Sequence, residues 1–225
     1  TAAASKRKGG MRLNSLEGVM VVGLTGQTGA GKTTVCKVFE RSGFSVINAD
    51  AIARQVMEKG SRCLQELTDC FQEDILLPDG ELNRQKLAQI VFTDSKKLEL
   101  LNSISYPYIT GEILKQIRLS SITGHKLILL DAPTLFESRA DDFCELIISV
   151  VAKESNRLER IMQRDGLTEE QAYSRMRAQH TESFFKQHSD FIIKNNKNLK
   201  NLSDVAKEVS DKIWDYYHTN YHNAK

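Results

Sequence analysis

The fold of this chain is decided by one stretch, Val19-Met20-Val21-Val22-Gly23-Leu24-Thr25-Gly26-Gln27-Thr28-Gly29-Ala30-Gly31-Lys32-Thr33. Its first part, Val19–Leu24, is a short apolar run rich in β-branched residues, typical of a strand buried in a parallel sheet. Its second part, Gly26–Thr33, fits the pattern G-x-x-x-x-G-K-[ST] in full. Lys32–Arg41 then carries apolar residues at helical spacing and is followed by Gly43. The stretch therefore predicts a strand, a phosphate-binding loop and a helix in immediate succession.

Each fixed position of this phosphate loop has a chemical reason. Glycines let the backbone curl until N–H groups point at phosphate oxygens, and the helix start adds partial positive charge. Lys32 is expected to reach the β- and γ-phosphates of ATP, and the Thr33 hydroxyl to bind Mg²⁺. A chance match in a chain this long is on the order of one in a hundred. We therefore predict ATP and Mg²⁺ as cofactors, with the nucleotide held by Gly26, Gln27, Thr28, Gly29, Ala30, Gly31, Lys32, Thr33 and Thr34.

Composition limits the class of protein. The 225 residues are 40% hydrophobic and 27% charged, enough for one core with or without an inserted subdomain. A net charge of +2 gives no general attraction to nucleic acid or to anionic membranes, and no apolar stretch reaches membrane-spanning length. The four cysteines form no CxxC pair, as expected for reduced thiols in a cytoplasmic protein. We expect a cytoplasmic enzyme acting on a small molecule, without nucleic-acid or membrane partners, as a monomer or weak homo-oligomer.

Strands alternate with helices over most of the chain. Parallel neighbours need crossover helices, so the pattern predicts a three-layer α/β fold of the P-loop NTPase type. Between residues 61 and 123 no strand is predicted, and the apolar spacing indicates several helices broken at Pro78-Asp79-Gly80 and at Pro107. A second helix is predicted over Ala51–Lys59. The five predicted strands are Val19–Leu24, Phe44–Asn48, Lys126–Leu130, Leu146–Val151 and Phe191–Ile193.

Two carboxylates follow predicted strands, at the sheet edge where ligands bind. Asp50 could accept a proton from an attacking hydroxyl, or could simply cap the helix that begins there. Asp131 has a Walker-B-like placement for a carboxylate near Mg²⁺, although a polar residue often ends a strand. Glu137, six residues further on, is a weaker candidate.

Basic and amide side chains supply further candidates. Arg157, Arg160 and Arg164 share one helical face, either as a solvated face or as a lid that neutralises phosphoryl charge. Asn195, after the last predicted strand, either lines an adenine pocket or forms a turn. Arg54 and Arg84 could bind substrate phosphates, although single arginines on helices are normally solvated.

Taken in order, the motifs resemble the dephospho-CoA kinase family over roughly Val19 to Trp214. Beyond the phosphate loop, matching stretches include Ile47–Arg54, Asp79–Arg84, Leu101–Ile104 with Pro107, Asp131–Glu137, Gln163–Asp165 and Asp190–Asn195. The sequence departs from the family pattern at Tyr106, where His is frequent, at Thr134, where Leu is usual, and at Lys197, where Gly is typical.

The resemblance implies transfer of the ATP γ-phosphate to the ribose 3′-hydroxyl of dephospho-CoA. It implies Asp50 as the base, Arg164 as a lid arginine, Lys32 as a catalytic contact, and substrate contacts by Arg54, Arg84, Asp131 and Glu137. It also implies a nucleotide core (19–60, 124–152 and 188–220), a helical CoA domain (61–123) and a lid (153–187). The small, basic residues at the start of the sequence predict either a disordered tail or a cloning remnant over 1–18.

Two other functions remain open from the sequence. One is another P-loop metabolite kinase, such as a nucleoside monophosphate kinase. The other is a GTP-dependent switch, which would need an N-K-x-D motif to read guanine. Asn196-Lys197-Asn198-Leu199 lacks that aspartate.

Overall fold

The chain folds around a five-stranded parallel sheet, as predicted. A computed structural model describes residues 18–71 and 74–221, so nearly all of the predicted tail lies outside the described residues. The strands are β1 Met20–Gly26, β2 Ser45–Asn48, β3 Leu127–Asp131, β4 Leu146–Val151 and β5 Phe191–Lys194. The helices are α1 Lys32–Arg41, α2 Ala49–Gln55, α3 Arg62–Cys70, α4 Arg84–Thr93, α5 Ser95–Ile122, α6 Glu154–Asp165, α7 Glu169–Arg177, α8 Glu182–His188 and α9 Leu199–Tyr221.

The strand order, β2-β3-β1-β4-β5, places the phosphate-loop strand in the centre of the sheet. β1 pairs in parallel with β3 and β4, and every residue of these three strands is buried. Burial on both faces explains why these strands are continuous apolar runs rather than alternating ones. The register sets Leu24 beside Asp131, so β3 ends close to the start of the phosphate loop.

The chain divides into two compact units. The first contains residues up to Ile47 and from Ser120 onward, and the second is Asn48–Leu119. In the first unit the main core joins the sheet to α1 and α9, with Phe39, Phe44 and Ile213 among its buried members. Phe44 contacts Phe39 and Trp214 edge-on, at centroid distances of 4.9 and 5.9 Å. This core fixes α1, and with it the helix end of the phosphate loop.

The second unit is helical and has its own core, built on α3, α4 and the first half of α5. Cys63, Leu67 and Phe71 are buried in it, and Met57 packs against it from the segment after α2. This packing explains why the unit begins at Asn48, earlier than the helical segment predicted from residue 61. Asp50 and Arg54 therefore belong to the helical unit.

The predicted helix break at Pro107 is wrong. Residue 107 lies inside α5, which runs without interruption over Ser95–Ile122. Proline removes one backbone donor and disfavours the helix by about 3 kcal/mol. Side chains buried before and after it, such as Ser105 and Ile113, hold the helix together across this point. In the part of the chain that the structure describes, neither α5 nor any other helix has the length and apolarity to span a membrane.

Candidate active site

The phosphate loop leaves β1 at Gly26, where the backbone allows only glycine. Its φ is 141°, and a Cβ built there would lie 2.2 Å from the carbonyl oxygen of Val150 on the neighbouring strand. The next residue, Gln27, donates its backbone N–H to that same oxygen at 3.0 Å. The first glycine of the motif thus lets the chain turn while remaining in contact with β4.

Two arginines of α6 hold the loop by its carbonyl groups. Arg157 donates from Nε to the carbonyl oxygen of Thr28 at 2.9 Å, and Arg160 donates from Nη1 to that of Gly29 at 3.2 Å. In a planar trans peptide the carbonyl and the following N–H point in opposite directions. Because these carbonyls are held against α6, the N–H groups of Gly29 and Ala30 point away from that helix. The N–H of Ala30 donates to the carbonyl oxygen of Gln27 at 3.1 Å and so closes a turn.

Asn195 holds a third carbonyl from the end of β5. Its Nδ2 donates to the carbonyl oxygen of Ala30 at 2.8 Å, and the residue is buried. Gly31 packs so closely that an added Cβ would lie 2.5 Å from this amide, at a φ of 101°. The structure therefore gives Asn195 a role in bracing the phosphate loop; the predicted nucleotide contact stays a prediction.

Arg157 is not part of a solvated helix face. It is only 6% exposed, and burial lowers the pKa of its guanidinium. One of its nitrogens, Nη2, is buried without a hydrogen-bond partner among the described residues. The interpretation of the arginine face as solvated is therefore wrong for Arg157, because its helix packs against the phosphate loop.

Arg164, at the end of α6, is exposed and forms an ion pair with its neighbour Asp165. Arg175 of α7 contacts the same carboxylate at 2.5 Å. The hydrogen bond from Arg164, with the charges of both arginines, holds the pKa of Asp165 below its usual value. The carboxylate thus ties α6 to α7, and a lid role for Arg164 stays a prediction.

Lys32 and Asp131 form the charged centre of the site. Lys32 Nζ lies 2.6 Å from Asp131 Oδ1, and the two side chains are 18% and 11% exposed. The parallel register explains the meeting, since Asp131 lies beside Leu24, two residues before the loop begins. Thr33, the second residue of α1, is exposed. The structure thus brings Lys32, predicted to meet phosphate, into contact with Asp131, predicted to lie near Mg²⁺.

Cys36 lies one helical turn beyond Lys32, and its thiol is close enough to Asp131 to feel the charge of that carboxylate. Burial, followed by the negative charge of Asp131, raises the pKa of this thiol to about 12. At neutral pH the thiol therefore keeps its proton.

Cys36 is expected to react with iodoacetamide about 10³-fold more slowly than the exposed Cys70 at pH 7.5, because the thiolate is the nucleophile. A raised pKa disfavours the thiolate until the pH approaches that value. The labelling rate of Cys36 should therefore still increase with pH above 9, where the labelling rate of an ordinary thiol levels off. Peptide mapping by mass spectrometry between pH 7 and 10 measures both residues in one sample. A Cys36 profile that levels off near pH 9 would show burial without a shifted pKa.

In the second unit, Asp50 is the second residue of α2 and is not its N-cap. That position belongs to Asn48, whose side chain accepts from the N–H of Ala51 at 2.8 Å. The predicted start of this helix at Ala51 was therefore two residues late. Asp50 therefore does not cap α2, one of the two explanations left open by the sequence, because Asn48 provides the cap. Its carboxylate is exposed.

The structure brings Arg54 and Arg84 together. Arg84, the first residue of α4, donates from Nη2 to the carbonyl oxygen of Arg54 at 3.1 Å, and both residues are exposed. Arg54 also follows Asp50 by four residues, a spacing that places both on one face of α2. Asp50, Arg54 and Arg84, three of the residues predicted to act on the second substrate, therefore belong to the same helical unit.

Glu137 lies in the segment after β3 and faces the connection between α7 and α8. Its Oε1 is 3.4 Å from Nε2 of His180, a ring that stacks on Phe184 at a centroid distance of 3.7 Å. The structure pairs Glu137 with this connection, and the predicted substrate contact stays a prediction.

The dephospho-CoA kinase family model matches residues 20–201, which include the phosphate loop, α2 and the whole helical unit. The chain belongs to the dephospho-CoA kinase family. It is 40% identical to a dephospho-CoA kinase of Arabidopsis thaliana over 189 residues, 84% of this chain and 82% of that protein. A dephospho-CoA kinase of Listeria innocua is 38% identical over 179 residues, 80% of this chain and 90% of that protein.

A solved structure agrees with this assignment. The dephospho-CoA kinase from Campylobacter jejuni superposes with a TM-score of 0.63 at 26% identity, over 86% of this chain and 96% of that chain. Membership of the dephospho-CoA kinase family makes the chain a kinase with a P-loop nucleotide site. The resemblance inferred from the ordered motifs is thus confirmed.

Sequence reasoning missed two residues of the site. Cys36 gave no signal, because a lone cysteine on an amphipathic helix is ordinary core material. Gln179, which accepts the N–H of Thr28 at 2.7 Å, lies 151 residues away in sequence and belongs to no motif. Contacts of this kind depend on tertiary packing and leave no periodic pattern.

Proposed function

We propose that the chain transfers the γ-phosphate of ATP to the ribose 3′-hydroxyl of dephospho-CoA, giving coenzyme A and ADP. One observation carries the proposal: a braced phosphate loop with a Lys32–Asp131 pair lies within a family match that extends through the helical unit. The names of the relatives supply the acceptor. The geometry supports the donor half of the reaction.

The donor side is a phosphate cradle with fixed charges. The N–H groups of Thr34 and Val35 bond to the carbonyl of Gly31. Those of Lys32 and Thr33 come before these first bonds, so they are available to phosphate oxygens, favoured by the helix dipole. Lys32 would turn from Asp131 toward the β- and γ-phosphates of bound ATP. These groups lie on elements fixed by the main core, so they stabilise the transferring phosphoryl with little rearrangement.

The site residues fit Mg²⁺ with ATP. In kinases this ion is held by one or two protein oxygens together with phosphates and water. The exposed hydroxyl of Thr33 and the carboxylate of Asp131 are such oxygens, and they belong to the last residues of the loop and of β3 respectively. When bound, the ion neutralises charge on the β- and γ-phosphates.

The acceptor side would be provided by α2 and α4. The 3′-hydroxyl oxygen attacks the γ-phosphorus, the bond to the β,γ-bridging oxygen breaks, and ADP leaves. Asp50 would take the hydroxyl proton, while Arg54 and Arg84 would bind anionic groups of dephospho-CoA. Arg164 would exchange its ion pair with Asp165 for the transferring phosphoryl. We place the reaction in the cytoplasm, which the four free cysteines support.

With ATP and Mg²⁺ present, dephospho-CoA is expected to raise ADP release at least ~10³-fold over the rate without acceptor. A coupled ADP assay measures the rate, and mass spectrometry should show one added phosphoryl group on the acceptor. Phosphorus NMR of the product separates a 3′-phosphate from other positions. ADP release that responds to nucleoside monophosphates and not to dephospho-CoA would replace this function with a nucleoside monophosphate kinase.

A further inference from the structure

Gln179 contacts the phosphate loop from the connection between α7 and α8. Its side-chain oxygen, Oε1, accepts the backbone N–H of Thr28 at 2.7 Å. Gln179 is half-buried, and its own backbone N–H bonds to the carbonyl of Met176 at 3.4 Å. The glutamine thus reaches from the end of one helix to the third position of the loop.

Thr28 is consequently held on both sides. Its N–H is bonded to Gln179, and its carbonyl accepts from Arg157 at 2.9 Å. The preceding carbonyl, that of Gln27, accepts from the N–H of Ala30 at 3.1 Å. The two peptide groups that meet at Thr28 can therefore not rotate without breaking hydrogen bonds, and this residue lies within the segment that surrounds phosphate.

The connection carrying Gln179 is itself fixed from a second direction. The next residue, His180, stacks on Phe184 at 3.7 Å and lies 3.4 Å from Glu137. Phe136 in turn meets Phe184 edge-on at a centroid distance of 5.2 Å. These contacts join the connection to the segment after β3, so the amide of Gln179 is presented to the loop by an anchored backbone.

We propose that Gln179 is a positioning residue for the phosphoryl donor. By accepting the N–H of Thr28, it fixes the loop in the conformation that receives the terminal phosphates of ATP. A loop already ordered before binding loses less conformational freedom when the nucleotide arrives. The inference rests on the proposed use of ATP, but not on the identity of the acceptor.

Two substitutions separate the hydrogen bond from the size of the side chain. Gln179→Met keeps the length and removes the acceptor, whereas Gln179→Glu keeps the acceptor and adds a negative charge beside the phosphate loop. Gln163→Met is the matched control, because Gln163 is an exposed glutamine of α6 whose side chain donates to Glu159 of the same helix. Thermal unfolding of each variant shows that the fold is retained.

The test combines hydrogen exchange of the nucleotide-free protein with ATP binding. Gln179→Met is expected to speed exchange in peptides covering Gly26–Thr33 and to weaken binding of a non-hydrolysable ATP analogue ~3- to 10-fold, the range of one neutral hydrogen bond. Gln179→Glu should keep the exchange protection and still bind the analogue more weakly, through charge repulsion. Gln163→Met should match the parent protein in both measurements.

The proposal is overturned if Gln179→Met leaves both exchange and affinity unchanged. It is also overturned if that variant binds the analogue more tightly, since the glutamine would then compete with phosphate for Thr28. Both readouts are independent of the acceptor. A failed dephospho-CoA assay with intact ATP binding would therefore contradict the proposed function and leave the role of Gln179 standing.

Discussion

Asp50→Ala is expected to lower kcat by at least ~10²-fold while ATP still binds, the usual loss for a positioned base. A carboxylate at the start of α2 would hold the attacking hydroxyl and accept its proton, and alanine can do neither. The carboxylate is exposed and does not cap the helix, so its removal should leave the fold intact. Steady-state kinetics with dephospho-CoA gives kcat, and direct binding of an ATP analogue gives the affinity for the nucleotide.

Asn48→Ala supplies the control for helix capping. Asn48 caps α2 through the N–H of Ala51, so its loss should reduce stability by about 1 kcal/mol. Its turnover, measured below the unfolding transition, should remain much closer to that of the parent protein than the turnover of Asp50→Ala. Asp50→Asn keeps the size of the side chain without a basic oxygen and should resemble Asp50→Ala. Parent-like turnover of both Asp50 variants would mean that this carboxylate has no part in the chemistry.

The central strands, the phosphate loop and α1 could be predicted from sequence because each depends on local rules. Val19–Leu24 is apolar throughout since β1 is buried on both faces, and α1 begins at Lys32 and ends at Arg41 as predicted. The capping box at the start of α7, formed by Thr168 and Gln171, follows such a local rule as well, since the two residues have the required spacing and both hydrogen bonds are present.

The meeting of distant segments could not be predicted in this way. Arg157 and Asn195 reach the loop across more than a hundred residues, and their side chains look the same in sequence as solvated ones. Local rules also failed at residue 107, where the packing of a long helix outweighs the proline. For Asp50 the sequence left two explanations open, and only the position of Asn48 as the cap removed one of them.

Lys32→Met is expected to lower kcat/KM by at least ~10³-fold, a larger loss than the ~10²-fold one expected for Asp50→Ala. The ammonium would contact phosphate oxygens whose charge grows in the transition state, and methionine has the length without the charge. Lys32→Arg keeps a positive charge in a different shape and should recover only part of the activity. Single-turnover kinetics measures the chemical step, and analogue binding measures the ground state. A loss confined to binding would assign Lys32 to ATP capture alone.

The same substitution also has a consequence for the nucleotide-free protein. Asp131 is 11% exposed in its side chain, and Lys32→Met removes the ammonium 2.6 Å from it. We expect a loss of ~1–3 kcal/mol in the free energy of unfolding, because a nearly buried carboxylate loses its charged partner. Asp131→Asn added to Lys32→Met removes that uncompensated charge. The double variant should therefore recover stability but not activity, and denaturant unfolding beside kinetics measures both. Recovery of activity together with stability would show that Lys32 acts by stabilising the fold.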